Sequence, residues 1–439
     1  MTSALRLLAP VVLPCDPACS VLRDAVVDIG PDGRIDHVGP VATAPPTDAP
    51  TRALPGILLP GLVNAHAHSP MTLLRGMGGD LPLLRWLTEV IWPAEARLIP
   101  ADVRAGMLLG CVEMLHAGVT TSAEMYFYAE QVAAAVLDAG TRVLIGGPLL
   151  DLAGRDWRAD LAAIDRWIDA DGLRFGPHER IEVGYGAHSA YALPPESLPL
   201  IATSARARGA LLQIHVAESA DEDAAQRERY GSVPAMLAEL GVFGGRVLAA
   251  HGVHLSDKDI SILAGASVGV AHCPGSNAKL ASGIARLAEL RAAGVAVGVG
   301  TDGPASNDDL DLWEDMRLAA MLARLATGDA TAVTAPDVLL MATRYGAAAL
   351  GRDDIGALEP GRWADVVHVD AADSAFVAGL AVPAPQLIAN LVWAAGSRAV
   401  RDVWVAGEQV LADGGCTRVD EARAVAEARA ASQRLLGHR

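Results

Sequence analysis

Apolar runs of strand length alternate with helix-like patterns through the middle of the chain, from about residue 56 to residue 351. Such alternation is typical of an α/β fold in which helices wrap a parallel sheet. Eight strands are predicted here: Ile57–Val63, Val119–Ala123, Arg142–Gly146, Ile181–Gly186, Leu211–Val216, Val247–Ala250, Val268–Ala271 and Val295–Gly300. Eight is the number of strands that closes a (β/α)8 TIM barrel. The segments between them, such as Ala101–Ala117 and Leu310–Thr327, have the pattern of helices.

The two ends of the chain have a different pattern, with short strand-like runs separated by turn residues. The runs are Leu5–Leu13, Ala25–Ile29, Ile35–Val38, Ala364–Val369, Val400–Val405 and Glu408–Leu411. We interpret them as one small β-sandwich built from both termini, the alternative being two independent flaps. The predicted domains are residues 1–55 and 356–439 for the two parts of the sandwich and residues 56–355 for the barrel. Glu421–Leu436 reads as an amphipathic helix that packs on the barrel or on a neighbouring molecule.

Composition and charge indicate which partners and which cellular compartment this protein is expected to have. With 51% hydrophobic residues the chain can bury a large core, and its formal charge of -17 disfavours nucleic acid and anionic membranes as partners. The five cysteines are odd in number and scattered, which predicts free thiols in a reducing compartment. No stretch reaches the ~18 apolar residues of a membrane span. We therefore expect a cytoplasmic protein.

Polar residues with metal-binding or acid–base chemistry follow the predicted strands. They are His66 and His68 after strand 1, His188 after strand 4, His215 and Glu218 after strand 5, His251 after strand 6, His272 after strand 7 and Asp302 after strand 8. Active sites of (β/α)8 barrels lie at the carboxyl ends of the strands, so these residues are expected to meet. Side chains two apart on a strand share a face, and His66 and His68 can therefore reach the same cation.

Five motifs in this order resemble those of the metal-dependent amidohydrolase superfamily. They are PGLVNAHAH, HVAES, the strand ending at His251, HCPGSNAKLASGIA and GTDGPASNDDLDLWEDMR. The segments MTLLRGMGGDLPLLRWL and IWPAEARL are more narrowly similar to the 5-methylthioadenosine/S-adenosylhomocysteine deaminase group. The resemblance covers residues 55–365 and implies hydrolytic deamination of the 6-amino group of adenosine-type nucleosides to the inosine analogue and ammonia.

The resemblance also implies four ligands of one divalent metal: His66, His68, His215 and Asp302. Zinc with an open coordination position fits this set, and Fe²⁺ or Mn²⁺ are alternatives. Two-metal members use a carboxylated lysine on strand 4, and because Ile181–Gly186 has no lysine, a mononuclear centre is implied. Such a metal lowers the pKa of bound water from 15.7 toward about 7. Asp302 then acts as base, His251 orients the water, and Glu218 carries a proton to the ring and to the leaving amine.

Substrate contacts are implied for His188 with the purine, Glu95 with the ribose hydroxyls and Glu218 with the ring. The roles of Trp86 and Trp92, as pocket wall or core, stay open, and His272 is interpreted as pocket wall without a part in catalysis.

Deaminases that accept S-adenosylhomocysteine carry an arginine after strand 3, where this chain reads Leu144–Leu149. Arg155 and Arg158 follow only later in the chain. The missing guanidinium favours adenosine, 5′-deoxyadenosine or methylthioadenosine as substrate.

Other functions remain open on the same metal set, because one fold hosts many reactions. Guanine, pterin and cytosine deaminases and triazine hydrolases share these ligands, and a catalytically silent scaffold is an alternative of another class. The zinc nucleic-acid deaminases are disfavoured because their His-x-Glu and Pro-Cys-x-x-Cys signature is missing. A homo-oligomer is expected from the resemblance alone.

Overall fold

A computed structural model describes residues 4–151 and 155–437. The outermost limits of the predicted domains, residues 1 and 439, lie outside the described residues. Numbered in chain order, the strands are β1 Leu5–Val12, β2 Leu22–Ile29, β3 Ile35–Pro40, β4 Thr51–Ala53, β5 Gly56–Pro60, β6 Leu62–Ala67, β7 Val119–Met125, β8 Arg142–Leu149, β9 Arg174–Phe175, β10 Ile181–Ser189, β11 Leu212–Val216, β12 Val247–His251, β13 Gly269–His272, β14 Val297–Val299, β15 Val366–Asp370, β16 Val400–Val405, β17 Glu408–Ala412 and β18 Gly415–Cys416.

The α-helices of the same residues are α1 Leu83–Trp86, α2 Trp92–Glu95, α3 Pro100–His116, α4 Ala129–Ala139, α5 Trp157–Asp171, α6 Ser197–Arg208, α7 Ala220–Tyr230, α8 Val233–Glu239, α9 Asp257–Gly265, α10 Pro274–Lys279, α11 Leu287–Ala292, α12 Leu312–Thr327, α13 Ala335–Met341, α14 Arg344–Ala349, α15 Ala384–Ala389 and α16 Glu421–Leu436. A 3₁₀ helix, Ser69–Leu74, follows β6, and a π-helical turn, Leu87–Ile91, joins α1 to α2. Within the described residues, no helix combines the length and the apolar character needed to span a bilayer.

Eight parallel strands form the predicted barrel in the order β6-β7-β8-β10-β11-β12-β13-β14. The barrel closes through a parallel bridge between Ala67 and Asp302, where the Asp302 N–H donates to the His66 carbonyl at 3.0 Å. The predicted fold class is therefore confirmed. The closing contact lies at the carboxyl ends of the strands, beside the predicted metal ligands.

The first predicted strand, Ile57–Val63, is two strands in two sheets. β5 pairs with β1 and β15 in the terminal sheet, whereas β6 pairs with β7 in the barrel. The break falls at Pro60-Gly61, where proline has no N–H for a ladder. Gly61 is required there, because a Cβ would lie 2.0 Å from the Thr120 hydroxyl oxygen. Residues on both sides of the break are buried, so the apolar run hides the change of sheet.

Both chain ends join in one sheet, as predicted, and not in two flaps. Across the described residues its order is β18-β17-β16-β15-β5-β1-β2-β3, with β4 beside β1. One apolar cluster is shared by the N- and C-terminal strands and includes Leu7, Val27, Leu58, Val366 and Trp404. The domain limits stay a prediction.

One buried and one partly exposed ion pair attach this terminal sheet to the amino-terminal ends of the barrel strands. Arg142, the first residue of β8, pairs with Asp365, and both side chains are almost fully buried. Arg180, just before β10, pairs with Glu408 at 2.8 Å. The sheet therefore covers the end of the barrel opposite the polar strand ends.

The C-terminal helix α16 packs on the barrel, which decides between the two packing partners considered from the sequence. Ala424, Ala428 and Leu435 are buried on its inner face. It lies against α3 and the 3₁₀ helix Ser69–Leu74, where the Ser432 hydroxyl donates to the Leu73 carbonyl at 2.8 Å.

Candidate active site

Four side-chain atoms from three parts of the barrel converge at one point. His66 Nε2 lies 3.2 Å from His215 Nε2, and His68 Nε2 lies 3.4 Å from the same atom. Asp302 Oδ1 lies 3.5 Å from His66 Nε2 and 3.2 Å from His68 Nε2. These separations match the edges of about 3.3 Å that a tetrahedron of ligands 2.0–2.1 Å from zinc would have. The four predicted ligands are thus brought together.

Hydrogen bonds at the far side of two rings fix which nitrogen faces the centre. His68 Nδ1 lies 2.6 Å from the Met125 carbonyl, and His215 Nδ1 lies 2.6 Å from the His188 carbonyl. A carbonyl only accepts, so each Nδ1 carries a proton and each Nε2 faces the centre, where it can offer a lone pair to a cation. Three such nitrogens and a carboxylate oxygen at these separations can share one cation. The donor set therefore fits a divalent metal.

Asp302 is held by hydroxyl groups on its second oxygen. Oδ2 accepts from Ser276 at 2.6 Å and from Ser306 at 2.8 Å, which leaves Oδ1 toward the histidines. Burial raises the pKa of Asp302, but hydrogen bonding to His66 and His68 outweighs burial and holds the pKa well below its usual range. Its φ of 60° is unusual for a non-glycine residue and typical of functional sites.

His251 and Glu218 lie beside the ligand cluster. His251 Nε2 is 3.7 Å from Glu218 Oε1, and His251 Nδ1 is 3.0 Å from Asn277 Oδ1. His251 also forms an overlapping group with His66 and His215 whose nitrogens lie within 4.8 Å of one another. Burial raises the pKa of Glu218, against the opposing effect of His251. A buried carboxyl of raised pKa can carry a proton at neutral pH.

His188 lies on the wall of the site beside two aromatic rings. Its ring centroid is 6.4 Å from that of Trp92 and 5.7 Å from that of Tyr191, both edge-on. Burial, reinforced by the nearby His68 and His66, lowers the pKa of His188 to about 3. The imidazole is therefore neutral and can donate or accept one hydrogen bond to a planar ligand.

Glu95, at the end of α2, lies on the same wall and is half-buried. Burial raises its pKa to about 7, while the neighbouring Tyr126 hydroxyl lowers it. Two cavities meet here and share the side chains of Trp92, Glu95, Phe127 and Leu150.

The first cavity holds about 610 Å³, part of it open to solvent, and is lined at its base by His68, His215, Glu218 and Asp302. Its upper wall includes Trp86, which is buried and donates from Nε1 to the Met77 carbonyl at 3.0 Å. This volume lies in the range of small-molecule sites. Arg155 lines the second cavity, with its guanidinium carbon 4.4 Å from the centroid of the Phe127 ring. Trp86 and Trp92 thus both line the pocket, which the sequence left open.

Glu124 was not singled out from the sequence, yet it is fully buried beside the predicted metal ligands. Its two oxygens accept from the backbone N–H of Ser69 at 2.9 Å and from the Ser69 hydroxyl at 2.6 Å. Ser69 directly follows His68. The rule that polar residues at strand ends are functional also covers Glu124, near the end of β7.

Asp315, on α12, was also missed. It accepts from the Gly275 N–H and from the Asn307 side chain, both at 2.9 Å. These bonds tie together the two segments that supply Ser276 and Ser306. A Cβ on Gly275 would lie 1.9 Å from Asn307 Oδ1, so the close approach requires glycine.

His272 is buried on β13 and belongs to none of the metal-competent groups found among the described residues. Its Nδ1 has no hydrogen-bond partner within that part of the chain. The cavity at the base of the site is not lined by His272, so the pocket-wall interpretation finds no support here.

Comparison with known proteins adds a family to this geometry. Residues 57–410 match the amidohydrolase family. The chain is 42% identical over 433 residues, 97% of each protein, to a 5-methylthioadenosine/S-adenosylhomocysteine deaminase of Pelotomaculum thermopropionicum. It is 40% identical over 428 residues, 97% of this chain and 96% of the other, to a 5′-deoxyadenosine deaminase of Methanosarcina mazei. A solved adenosine deaminase of Xanthomonas campestris with bound zinc matches with a TM-score of 0.91 and 36% identity, covering 99% of each chain.

Proposed function

The chain belongs to the amidohydrolase family, and from that premise we propose that it is a metal-dependent aminohydrolase that deaminates adenosine-type nucleosides. The 6-amino group is replaced by oxygen, which yields the inosine analogue and ammonia. The observation that carries the proposal is the arrangement of a metal-competent cluster and Glu218 at the base of one pocket, with His188 and Glu95 on its wall. The deaminase activities of the related proteins support the same chemistry.

We propose that one divalent metal, with zinc preferred, is bound by His66, His68, His215 and Asp302. Three inward nitrogens and one carboxylate oxygen suit zinc with an open position. When bound, such a metal supplies hydroxide at neutral pH by lowering the pKa of a water molecule.

The remaining chemistry is proton transfer by the chain's own residues. Asp302, held ionised, accepts the proton of the attacking water, and His251, oriented by Asn277, positions that water. Protonated Glu218 donates to the ring nitrogen next to C6 and then, recharged by the proton from Asp302, to the leaving amine. Ammonia departs as the carbonyl forms, and the proton of the C6 hydroxyl passes to Glu218, so that both carboxyl groups return to their starting states.

Substrate binding is assigned to the walls. Neutral His188 forms a hydrogen bond with a purine nitrogen. The rings of Trp92 and Tyr191 lie edge-on to the His188 imidazole. Glu95 accepts from the two vicinal ribose hydroxyls, for which a carboxylate has enough lone pairs. Since Arg155 already lies 3.3 Å from Asp160, uncharged 5′ groups are expected to be preferred over the charged group of S-adenosylhomocysteine.

The test is an ultraviolet deamination assay of the zinc-loaded protein, with ammonia release as a second readout. The compounds are adenosine, 5′-deoxyadenosine, methylthioadenosine, S-adenosylhomocysteine, guanine and a pterin. We expect turnover of the uncharged adenosines and a loss of about 10²-fold or more in Glu218→Gln. The matched control is Glu228→Gln, an exposed carboxylate on α7, which should retain activity. Turnover of guanine or the pterin alone would contradict the nucleoside assignment.

We further propose a homo-oligomer in the cytoplasm. The location is supported by the five cysteines, all of which are free thiols. Light scattering on the purified protein tests the oligomeric state, and a monomeric mass at working concentration would exclude it.

A further inference from the structure

Three metal-binding side chains meet away from the catalytic pocket, where three elements come together. His116 is the last residue of α3, Cys416 the last of β18, and Glu421 the first of α16. The imidazole nitrogen, the thiol sulfur and a carboxylate oxygen all lie within 4.8 Å of one another. Each residue is partly exposed, so ions from solvent have access to it.

Backbone contacts preset the geometry of this cluster. Glu421 Oε1 accepts from the backbone N–H of Cys416 at 2.7 Å, while Oε2 lies 3.1 Å from His116 Nε2. One oxygen therefore fixes the carboxylate against the β18 turn, and the other is shared with the imidazole. Burial and the neighbouring Glu421 raise the pKa of the Cys416 thiol.

We propose that His116, Cys416 and Glu421 form a second divalent-metal site, of a class suited to zinc. Imidazole, thiolate and carboxylate are the three ligand types that zinc takes in proteins, and a water molecule completes a tetrahedron. The thiolate and carboxylate together offset the two positive charges, and the proton of the thiol leaves as the metal binds. All three side chains are partly exposed, so a water molecule can reach the site from solvent. The site shares no ligand with the catalytic cluster.

A metal here joins the barrel helix α3 to the start of α16. Farther along, α16 packs on the 3₁₀ helix Ser69–Leu74, which begins directly after the ligand His68. The second site therefore anchors an element that supports the catalytic strand end, and its loss should loosen α16 before the barrel.

Cobalt binding tests the proposal without measuring activity. Only a sulfur ligand gives a thiolate-to-cobalt charge-transfer band, and the catalytic cluster contains none. We expect two Co²⁺ per chain and such a band in the apoprotein reconstituted with cobalt. In Cys416→Ser the band and one Co²⁺ should be lost. Cys19→Ser, which removes a buried thiol elsewhere, should retain both. One Co²⁺ per chain and no band in the wild type would overturn the site.

Thiol labelling provides a second test that needs no variant. Of the cysteines in the described chain, Cys416 is the one that is not buried, so alkylation of the folded protein reports on it. Zinc in slight excess over two equivalents should slow labelling about tenfold or more, and a chelator should restore the rate. An unchanged rate would mean that the three residues form only a hydrogen-bonded triad.

Discussion

Single residues behind the ligands decide how well the metal is held. Glu124 receives both hydrogen bonds of Ser69 and so fixes the backbone that carries His68. Outer hydrogen bonds of this kind are typically worth 10–100-fold in metal affinity. We expect Glu124→Ala to weaken metal binding by about that factor in chelator competition, whereas Glu124→Gln, which can still accept from the N–H, stays within a few-fold.

The matched control for this variant lies on the same strand. The hydroxyl of Thr121 is buried and has no hydrogen-bond partner among the described residues. Thr121→Val should therefore leave metal affinity unchanged. Wild-type affinity in Glu124→Ala would show that Glu124 contributes only to packing.

The raised pKa of Glu95 predicts a pH dependence of ribose recognition. The folded pKa of about 7 lies above the usual value of about 4.3, so the carboxylate is progressively protonated as the pH falls through 7. Protonation removes a charged acceptor, and bonds to charged groups are worth about 1.5–3 kcal/mol. The kcat/KM ratio of adenosine to 2′,3′-dideoxyadenosine should then fall about tenfold from roughly pH 8 to roughly pH 6.

The two substrates have the same purine ring and the same 5′ group, so the effects of these parts cancel in the ratio. The ratio therefore reports only on the 2′ and 3′ hydroxyls. Glu95→Gln should make the ratio independent of pH. A ratio that still changes with pH in Glu95→Gln would place the titrating group elsewhere.

At the scale of elements, Asp315 links helix α10 with the loop that precedes α12. It holds the Gly275 backbone and Asn307, and these segments supply Ser276, Asn277 and Ser306 to Asp302 and His251. We expect Asp315→Ala to lower kcat about 10–100-fold with little change in KM, because substrate contacts lie on the other wall.

Two controls separate positioning from general damage to α12. Asp315→Asn can keep the bond to Gly275 and, after a flip of the Asn307 amide, the second bond, so it should recover most of kcat. Glu314→Ala alters the exposed neighbouring residue and should behave as wild type. A parallel loss of kcat in Glu314→Ala would argue against the positioning role.

The sequence predicts an element well when its pattern is contained in a few neighbouring residues. Val119–Ala123 is rich in β-branched residues and follows a glycine, Val247–Ala250 is an apolar run with polar neighbours, and both are barrel strands. The split of Ile57–Val63 could not be predicted from hydrophobicity, because both halves are buried and only their pairing partners distinguish them: β1 and β15 for β5, and β7 for β6. The strand-end rule covers Glu124, but its contact with Ser69, 55 residues away, could not be predicted from the sequence. The meeting of His66, His68 and His215 could be predicted because strand ends converge in every such barrel, whereas their assignment as metal ligands came from the family resemblance.

At the scale of the whole molecule, Asp365 joins the terminal sheet to the barrel. It pairs with buried Arg142 and accepts from the Ala406 N–H at 2.8 Å. Removing one partner of a buried pair leaves an uncompensated charge, which costs about 3–5 kcal/mol. Asp365→Ala should lower the free energy of unfolding in urea by that amount, with metal affinity of the folded protein unchanged.

A solvent-exposed ion pair provides the control for Asp365→Ala. Asp373 and Arg398 are joined at 2.8 Å, but the Arg398 side chain is 55% exposed. Asp373→Asn should therefore cost under about 1 kcal/mol. Equal losses in the two variants would mean that the Arg142–Asp365 pair does not hold the two parts together.

At Pro60-Gly61 the chain passes from the terminal sheet into the barrel, and this change of sheet affects folding during synthesis on the ribosome. β5 ends six residues before the predicted ligand His66 and pairs on one side with β15, which begins at Val366. The whole barrel must therefore be synthesised before β15 is available to pair with β5. Until then β5 has an open edge, which invites pairing with other chains. Translation that stalls between the barrel and residue 366 should thus release aggregation-prone fragments, and a catalytically complete molecule appears only when the last strands have left the exit tunnel.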